Sequence, residues 1–405
     1  MRNDPLDRAL REASIPVPAE AERRGLAVVE AAYAERGHGE PASAIRRPSL
    51  PRLAIALGLV TLLAAVLLSP AGAAVRDWVA EVADSSTPRP EPSLAEIPGG
   101  GRLLVQSDAG PWVVKADGSR RLLGDYEETT WSPRGLYVAA TENRSLSAVE
   151  PGGTPHWSIT APGRVSDPRW SPSRYRIAYR SGASLRVVAA DGSGDKFLDD
   201  DLAPVAPAWS PLGTAEVAYL DASGFLWITD SDSGEHLVSA PAGTDIRQLE
   251  WGAHGSAILE IGREALRLLE VQPLKIAARP GIEFLRDLPL PPETTVVDAA
   301  LAPQRQVVAA VLTTWRKSGT RSSIVLFGPR RTKPRRLLSV PGSLGEVVWS
   351  PDGKRLLVAW PGADQWLFLP VGRGEPRAIG HIAGVFAPGD RHASFPRVEG
   401  WCCRR

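Results

Sequence analysis

The sequence predicts an all-β fold, a β-propeller of four-stranded blades preceded by a single transmembrane helix and a short helical N-terminal tail. Three observations predict it. A Trp-Ser-Pro triplet recurs at intervals of roughly 40 residues, a short apolar strand follows each copy, and one uncharged run is long enough to cross a bilayer.

The triplet stands at Trp131-Ser132-Pro133, Trp170-Ser171-Pro172, Trp209-Ser210-Pro211 and Trp349-Ser350-Pro351. Degenerate copies stand at Trp251-Gly252-Ala253, Leu301-Ala302-Pro303 and Phe386-Ala387-Pro388. Successive copies begin 39, 39, 42, 50, 48 and 37 residues apart, the length of one propeller blade.

After each copy comes a turn and then a run such as Tyr137-Val138-Ala139-Ala140, Arg176-Ile177-Ala178-Tyr179 or Leu356-Leu357-Val358-Ala359. These runs are β-prone and too short for helices. A second run follows, as in Leu185-Arg186-Val187-Val188 and Phe225-Leu226-Trp227-Ile228, and then a turn such as Ala190-Asp191-Gly192. Each unit therefore reads as a four-stranded meander.

The stretch Trp349-Ser350-Pro351-Asp352-Gly353-Lys354-Arg355-Leu356-Leu357-Val358 resembles the WSPDGxxIxF signature of the WD40-like repeat in TolB-type propellers, and the resemblance covers about 290 of the 405 residues. It implies that each Trp ends an innermost strand and packs between blades, and that Pro-Asp-Gly turns the chain into the second strand. Only the copy at 349–353 keeps all five residues. The long spacings between 251 and 349 imply inserted loops, with Lys275 to Thr294 the best candidate.

Seven innermost strands are expected, with six or eight blades as alternatives. The segment Gly101 to Leu123 supplies outer strands without a triplet of its own. A strand near Phe386 is expected to join Leu103-Leu104-Val105 and Trp112-Val113-Val114, closing the ring with no open sheet edge.

Leu53 to Val75 is an uncharged run of 23 residues, enough to span the hydrocarbon core as one helix. Arg46, Arg47 and Arg52 precede it, whereas Arg76, Asp77, Glu81 and Asp84 follow it. This bias places the N-terminus in the cytoplasm and the propeller outside, in a single-pass cell-membrane protein. A cleavable signal ending near Ala71-Gly72-Ala73 is the alternative, and the roughly 50 preceding residues disfavour it.

The organisation read from the chain is thus a partly helical cytoplasmic tail over 1–50, a membrane helix over 51–75 and a Pro/Ser-rich linker over 76–98. The propeller follows over 99–393, and a C-terminal tail over 394–405. Two amphipathic stretches in the tail, around Leu6, Ala9, Leu10 and Ala13 and around Leu26, Val29, Ala32 and Tyr33, suit a cytoplasmic regulator. No His-x-x-x-Cys-x-x-Cys zinc motif supports an anti-sigma reading. Abundant Pro, Gly and Arg with one Met suits a bacterium of high genomic GC content.

Lys plus Arg total 47 and Asp plus Glu 46, so nucleic acid is not an expected partner. The basic cluster Arg330, Arg331, Lys333, Arg335 and Arg336 reads as a solvated hairpin. The only cysteines, Cys402 and Cys403, are adjacent and are expected in an exposed tail without thiol function.

No Gly-x-Ser-x-Gly elbow and no following α/β-hydrolase domain is seen, and the six histidines lack metal-ligand spacing. The acidic runs Asp199-Asp200-Asp201 and Asp230-Ser231-Asp232-Ser233-Gly234 read as hairpin tips, since neither follows the EF-hand pattern. Catalytic residues, cofactors and metals are therefore not expected, and the inner strands are expected to offer mainly Trp, Ser, Pro and aliphatics. The functional expectation is a platform binding an envelope protein or cell-wall ligand, with a propeller hydrolase or lyase built from blade loops as the alternative.

Overall fold

The computed structural model describes residues 90–91 and 94–403, apart from 173–174, 253, 273–280, 317–318, 330–332 and 388–391. The expected tail over 1–50 and membrane helix over 51–75 lie outside the described residues. Among the described residues no helix is long and apolar enough to cross a membrane.

Seven antiparallel meanders form a seven-bladed propeller. Blade 1 runs from its inner strand, Glu128–Trp131, through Val138–Glu142 and Ser145–Val149 to Pro155–Thr160. Blades 2 to 6 repeat this order from the inner strands Val165–Trp170, Ala208–Trp209, Ile246–Trp251, Thr294–Leu301 and Val347–Trp349. Every Trp-Ser-Pro copy thus ends an inner strand, as do Trp251 and Leu301.

The second strand of each blade is buried on both faces, so successive residues serve opposite neighbours. Val138 packs with Leu104 and Val113 of blade 7, while Ala139 packs with Ile177 and Tyr179 of blade 2. Leu356 and Val358 face blade 5, whereas Leu357 and Ala359 face blade 7. This double burial is why these strands are largely apolar and do not alternate.

The repeat motif builds the turn that follows. Gly135 and Gly353 donate their N–H to Ser132 O and Ser350 O, each 2.8 Å away, with φ of 62° and 65° that favour glycine. The Ser132 hydroxyl accepts the Tyr137 N–H at 3.0 Å, and Ser350 Oγ accepts the Arg355 N–H at 2.9 Å. Asp352 Oδ1 accepts from Ser350 Oγ at 2.7 Å and from the Lys354 N–H at 3.1 Å. Indole N–H groups then tie blade to blade. Trp209 Nε1 donates to Arg169 O at 2.8 Å and Trp349 Nε1 to Ala300 O at 2.9 Å.

The ring closes through a different segment from the one expected. Phe386 ends a short helix, Ile382–Phe386, whose apolar side chains fill the seam between blades 6 and 7. The closing strand is Arg397–Cys402, which pairs with Arg102–Ser107 and completes a blade with Gly110–Val114 and Arg120–Leu122. The segment 394–403 therefore belongs to the propeller and is not a tail. The reason lies in Trp401, whose indole packs edge-on to Phe368 at 5.7 Å and donates to Gly100 O at 2.8 Å. In register, Trp401 lies opposite Leu103 as Trp131 lies opposite Val138, so Trp401-Cys402-Cys403 occupies the place of Trp-Ser-Pro.

Two further boundaries shift. Pro90–Glu91 of the expected linker adds a fifth, parallel strand to the edge of blade 6, and Leu94 and Ile97 are buried between blades 6 and 7. The expected insertion from Lys275 to Thr294 contains Ile282–Asp287, the outer strand of blade 4. Residues 275–280 of the expected insertion lie outside the described residues.

Candidate functional site

Inner strands of a propeller present free edges to the central axis, so their outward N–H groups need acceptors. Acids three residues before the Trp position meet that need. Glu128 Oε2 accepts the Asp167 N–H at 2.5 Å, Asp298 Oδ2 the Val347 N–H at 2.8 Å, and Glu346 Oε1 the Val398 N–H at 2.7 Å. Glu250, one residue before Trp251, accepts the Leu301 N–H at 2.5 Å. Each carboxyl crosses a seam to the next blade.

Glu250, Asp298 and Glu346 share an axial channel of about 570 Å³ with Asp167, Arg169, Arg247 and Arg397. The arginines are engaged as well. Arg169 donates to Pro168 O at 2.9 Å, Arg247 donates to Val296 O at 2.7 Å, and Arg397 pairs with Glu399 at 2.8 Å, while the lining Asp167 pairs with Arg180 at 2.9 Å. Burial pushes the Glu250 carboxyl up to about 8, helped by the negative charge of Asp298 and opposed by the Leu301 N–H. Burial likewise raises Asp298 to about 7, with Glu346 adding to the rise. Glu128 and Glu346 are raised by the same burial. The channel therefore holds protons near neutral pH.

The expectation of inner strands carrying mainly Trp, Ser, Pro and aliphatics is corrected by this ring. Its signal was present in the sequence: an acid three positions before the repeat Trp or its Leu301 equivalent at Glu128, Asp167, Asp298 and Glu346. It is legible only once the strands are known to be edges facing one axis.

Where the channel opens on the Trp-Ser-Pro side, a hollow of about 400 Å³ is lined by Trp170, Trp209 and Trp251 with Pro172, Pro211 and Pro303. The turns that follow the inner strands of three consecutive blades expose apolar side chains. Leu136 is 62% exposed, Tyr175 64% and Leu212 59%. Exposed aromatic and aliphatic tips around an aromatic hollow are the surface composition of protein recognition sites. The motif residues themselves, Trp131, Ser132, Pro133 and their equivalents, shape the turns that present these tips.

The acidic runs and histidines singled out in the sequence make local contacts. Asp199 accepts the Tyr219 hydroxyl, and Asp230 Oδ1 accepts the N–H groups of Asp232 at 2.7 Å and Ser233 at 3.0 Å. His236 lies 3.1 Å from Thr229 Oγ1 and packs on Trp227, while His156 packs on Tyr137. Of the basic cluster, Arg335 and Arg336 begin the outer strand of blade 5, and Arg330 and Arg331 lie outside the described residues.

No family model and no curated protein matches the chain. Among solved structures, the β-propeller domain of Cps50 (Swd1) from Myceliophteria thermophila is 14% identical, covering 65% of this chain and 91% of that one at a TM-score of 0.52. Hsv2 of Kluyvelomyces marxianus is 13% identical over 68% of this chain and 91% of that one, with a TM-score of 0.47. Hydrazine synthase of Kuenenia stuttgartiensis is 14% identical over 60% and 75%, with a TM-score of 0.46. At such identity the likeness concerns the fold. The chain is a seven-bladed β-propeller of four-stranded blades with WD40-like structural neighbours.

Proposed function

We propose that this protein is a non-enzymatic binding platform of the TolB-like type, anchored by residues 53–75 and displaying its propeller outside the bacterial membrane. Its Trp-Ser-Pro face holds an envelope protein or a cell-wall ligand. The observation that carries the reading is the run of exposed Leu136, Tyr175 and Leu212 on the turns after the inner strands of three adjacent blades, two of which also supply Trp170 and Trp209 to the Trp-lined hollow. Water-exposed aromatic and aliphatic groups in this arrangement gain most when a partner covers them.

The test is in-cell crosslinking with affinity capture of the full-length chain, a form lacking residues 1–50, and the variants Leu136→Asp, Tyr175→Asp and Leu212→Asp. Partners bound by the face are expected to fall about tenfold or more with the aspartates, the scale of one lost hot spot, without a change in thermal unfolding. Partners lost only with residues 1–50 would belong to a cytoplasmic regulator. Identical capture by all forms would remove the face from consideration.

The competing reading, a propeller hydrolase or lyase, draws on the adjacent Glu250 and Asp298 carboxyls, both raised toward neutrality in the channel. Turnover on a panel of glycans and peptides that disappears with Asp298→Asn would establish that reading in place of the platform.

A further inference from the structure

The two cysteines stand at the seam with the smallest buried apolar cluster among the described residues. Between blades 7 and 1 the buried apolar cluster consists of Leu104, Val113, Leu123 and Val138, with Tyr126 and Trp131 partly buried against it. The other seams carry larger clusters, reaching fifteen buried residues between blades 5 and 6, so the closing seam depends most on other contacts.

Those contacts converge on Cys402 and Cys403. In blades 1 and 6 a Ser hydroxyl and a continuous turn secure the end of the inner strand. Blade 7 has no such turn, because its inner and second strands lie about 295 residues apart in sequence. Cys402 and Cys403 are instead joined to each other by a disulfide, with Cys403 in a left-handed conformation at φ 70°. The ring they form rests on the turn of blade 1: a Cβ at Gly135 would overlap Cys403 Sγ and stand 2.6 Å from Cys402 Sγ.

Arg102 completes the cluster. Its guanidinium donates to Gly135 O at 2.8 Å, lies 3.6 Å from Cys403 Sγ, and stacks over Trp131 at 5.1 Å. The Cys402 side is buried and the Cys403 side is half-exposed.

We propose that Cys402–Cys403 is a thiol–disulfide exchange site that latches blade 7 to blade 1 and is opened by a dithiol protein of the Cys-x-x-Cys class. A thiolate of that protein attacks Cys403 Sγ, the accessible sulfur. The bond between the two cysteines breaks, an intermolecular disulfide forms at Cys403, and Cys402 leaves as a thiolate that takes up a proton. The partner's second thiolate then attacks its own sulfur in that mixed disulfide. Cys403 is released and protonated, and the partner keeps the disulfide. Two electrons and two protons have passed to this chain. In the reverse direction Arg102 favours the Cys403 thiolate as the nucleophile toward an oxidised partner. Reduction separates the sulfurs, frees the backbone of Cys403 and loosens the contact with Gly135.

The test uses the full-length chain equilibrated in dithiothreitol redox buffers under native conditions, trapped with N-ethylmaleimide and followed by hydrogen exchange. Reduction is expected to add two maleimides per chain and to speed exchange in 397–402 and 102–107 by about tenfold, as for a locally opened unit, while Val165–Trp170 is unchanged. The Cys402→Ser variant, which keeps Cys403, is expected to form a mixed disulfide with oxidised glutathione about tenfold faster than Cys403→Ser, because thiolate fraction and access both favour Cys403. A pair that resists excess dithiothreitol, or reduction that leaves exchange in 397–402 unaltered, overturns the proposal. Equal rates for the two single variants remove the role given to Arg102.

Discussion

Deletion of residues 397–405 is expected to abolish the cooperative unfolding transition of the propeller, whereas a chain ending at Cys403 retains it. The deletion strips blade 7 of its inner strand and leaves Arg102–Ser107 as an unpaired edge at the axis. It also removes Trp401 and Val398 from the core between blades 6 and 7. Burying a Trp is worth about 3–5 kcal/mol by the cost of truncating it. A domain holds only about 5–15 kcal/mol in total, and the loss of a six-residue ladder adds to the Trp loss. The single change Trp401→Ala isolates the side chain and is expected to cost about 3–5 kcal/mol. Urea unfolding followed by circular dichroism measures both. A deletion variant that unfolds at the same urea concentration as the full chain would show that the ring does not depend on its C-terminal strand.

Stability is expected to fall as pH rises from about 5 to about 8, with Glu250 and Asp298 as the main source. Their carboxyls sit at about 8 and about 7 in the folded protein, raised by burial, while the unfolded chain has ordinary values near 4. Between those limits the native state holds protons that the unfolded chain has released. The stability these groups contribute is full below the unfolded values and is lost as pH rises through the folded ones. Each pH unit in that window is worth about 1.4 kcal/mol per carboxyl. Glu250→Gln keeps an acceptor for the Leu301 N–H and removes the charge. It is therefore expected to flatten the pH dependence and to be more stable than the parent by about 2 kcal/mol at pH near 8. Urea midpoints of parent and variant at the two pH values decide the matter. A parent that gains stability toward pH 8, or a variant with the same pH dependence as the parent, would place these carboxyls in ionised form.

The legible part of this protein was local. A strand buried on both faces is apolar on both, a tight turn needs Pro and Gly at set places, and a Trp that fills a seam recurs with the blade. Val138, Ile177, Leu356 and Gly353 therefore announced strands, turns and repeating blades before any contact was known. The closing strand stayed hidden because its sequence, Arg397-Val398-Glu399-Gly400-Trp401-Cys402, is neither continuously apolar nor followed by a turn. An innermost strand faces the polar axis on one edge, and this one pairs with residues about 295 positions away.

The shared carboxyls escaped for a related reason. Glu250, Asp298 and Glu346 each sit beside ordinary neighbours in sequence, and only closure of the circle turns them toward one channel, where burial raises their proton affinity. Blade length, strand order within a blade and turn chemistry follow from short-range pattern, because each blade obeys the same local physics. Which strand closes the ring, which acids share the axis and which seam the cysteines guard are set by tertiary structure, because each depends on residues brought together from opposite ends of the chain.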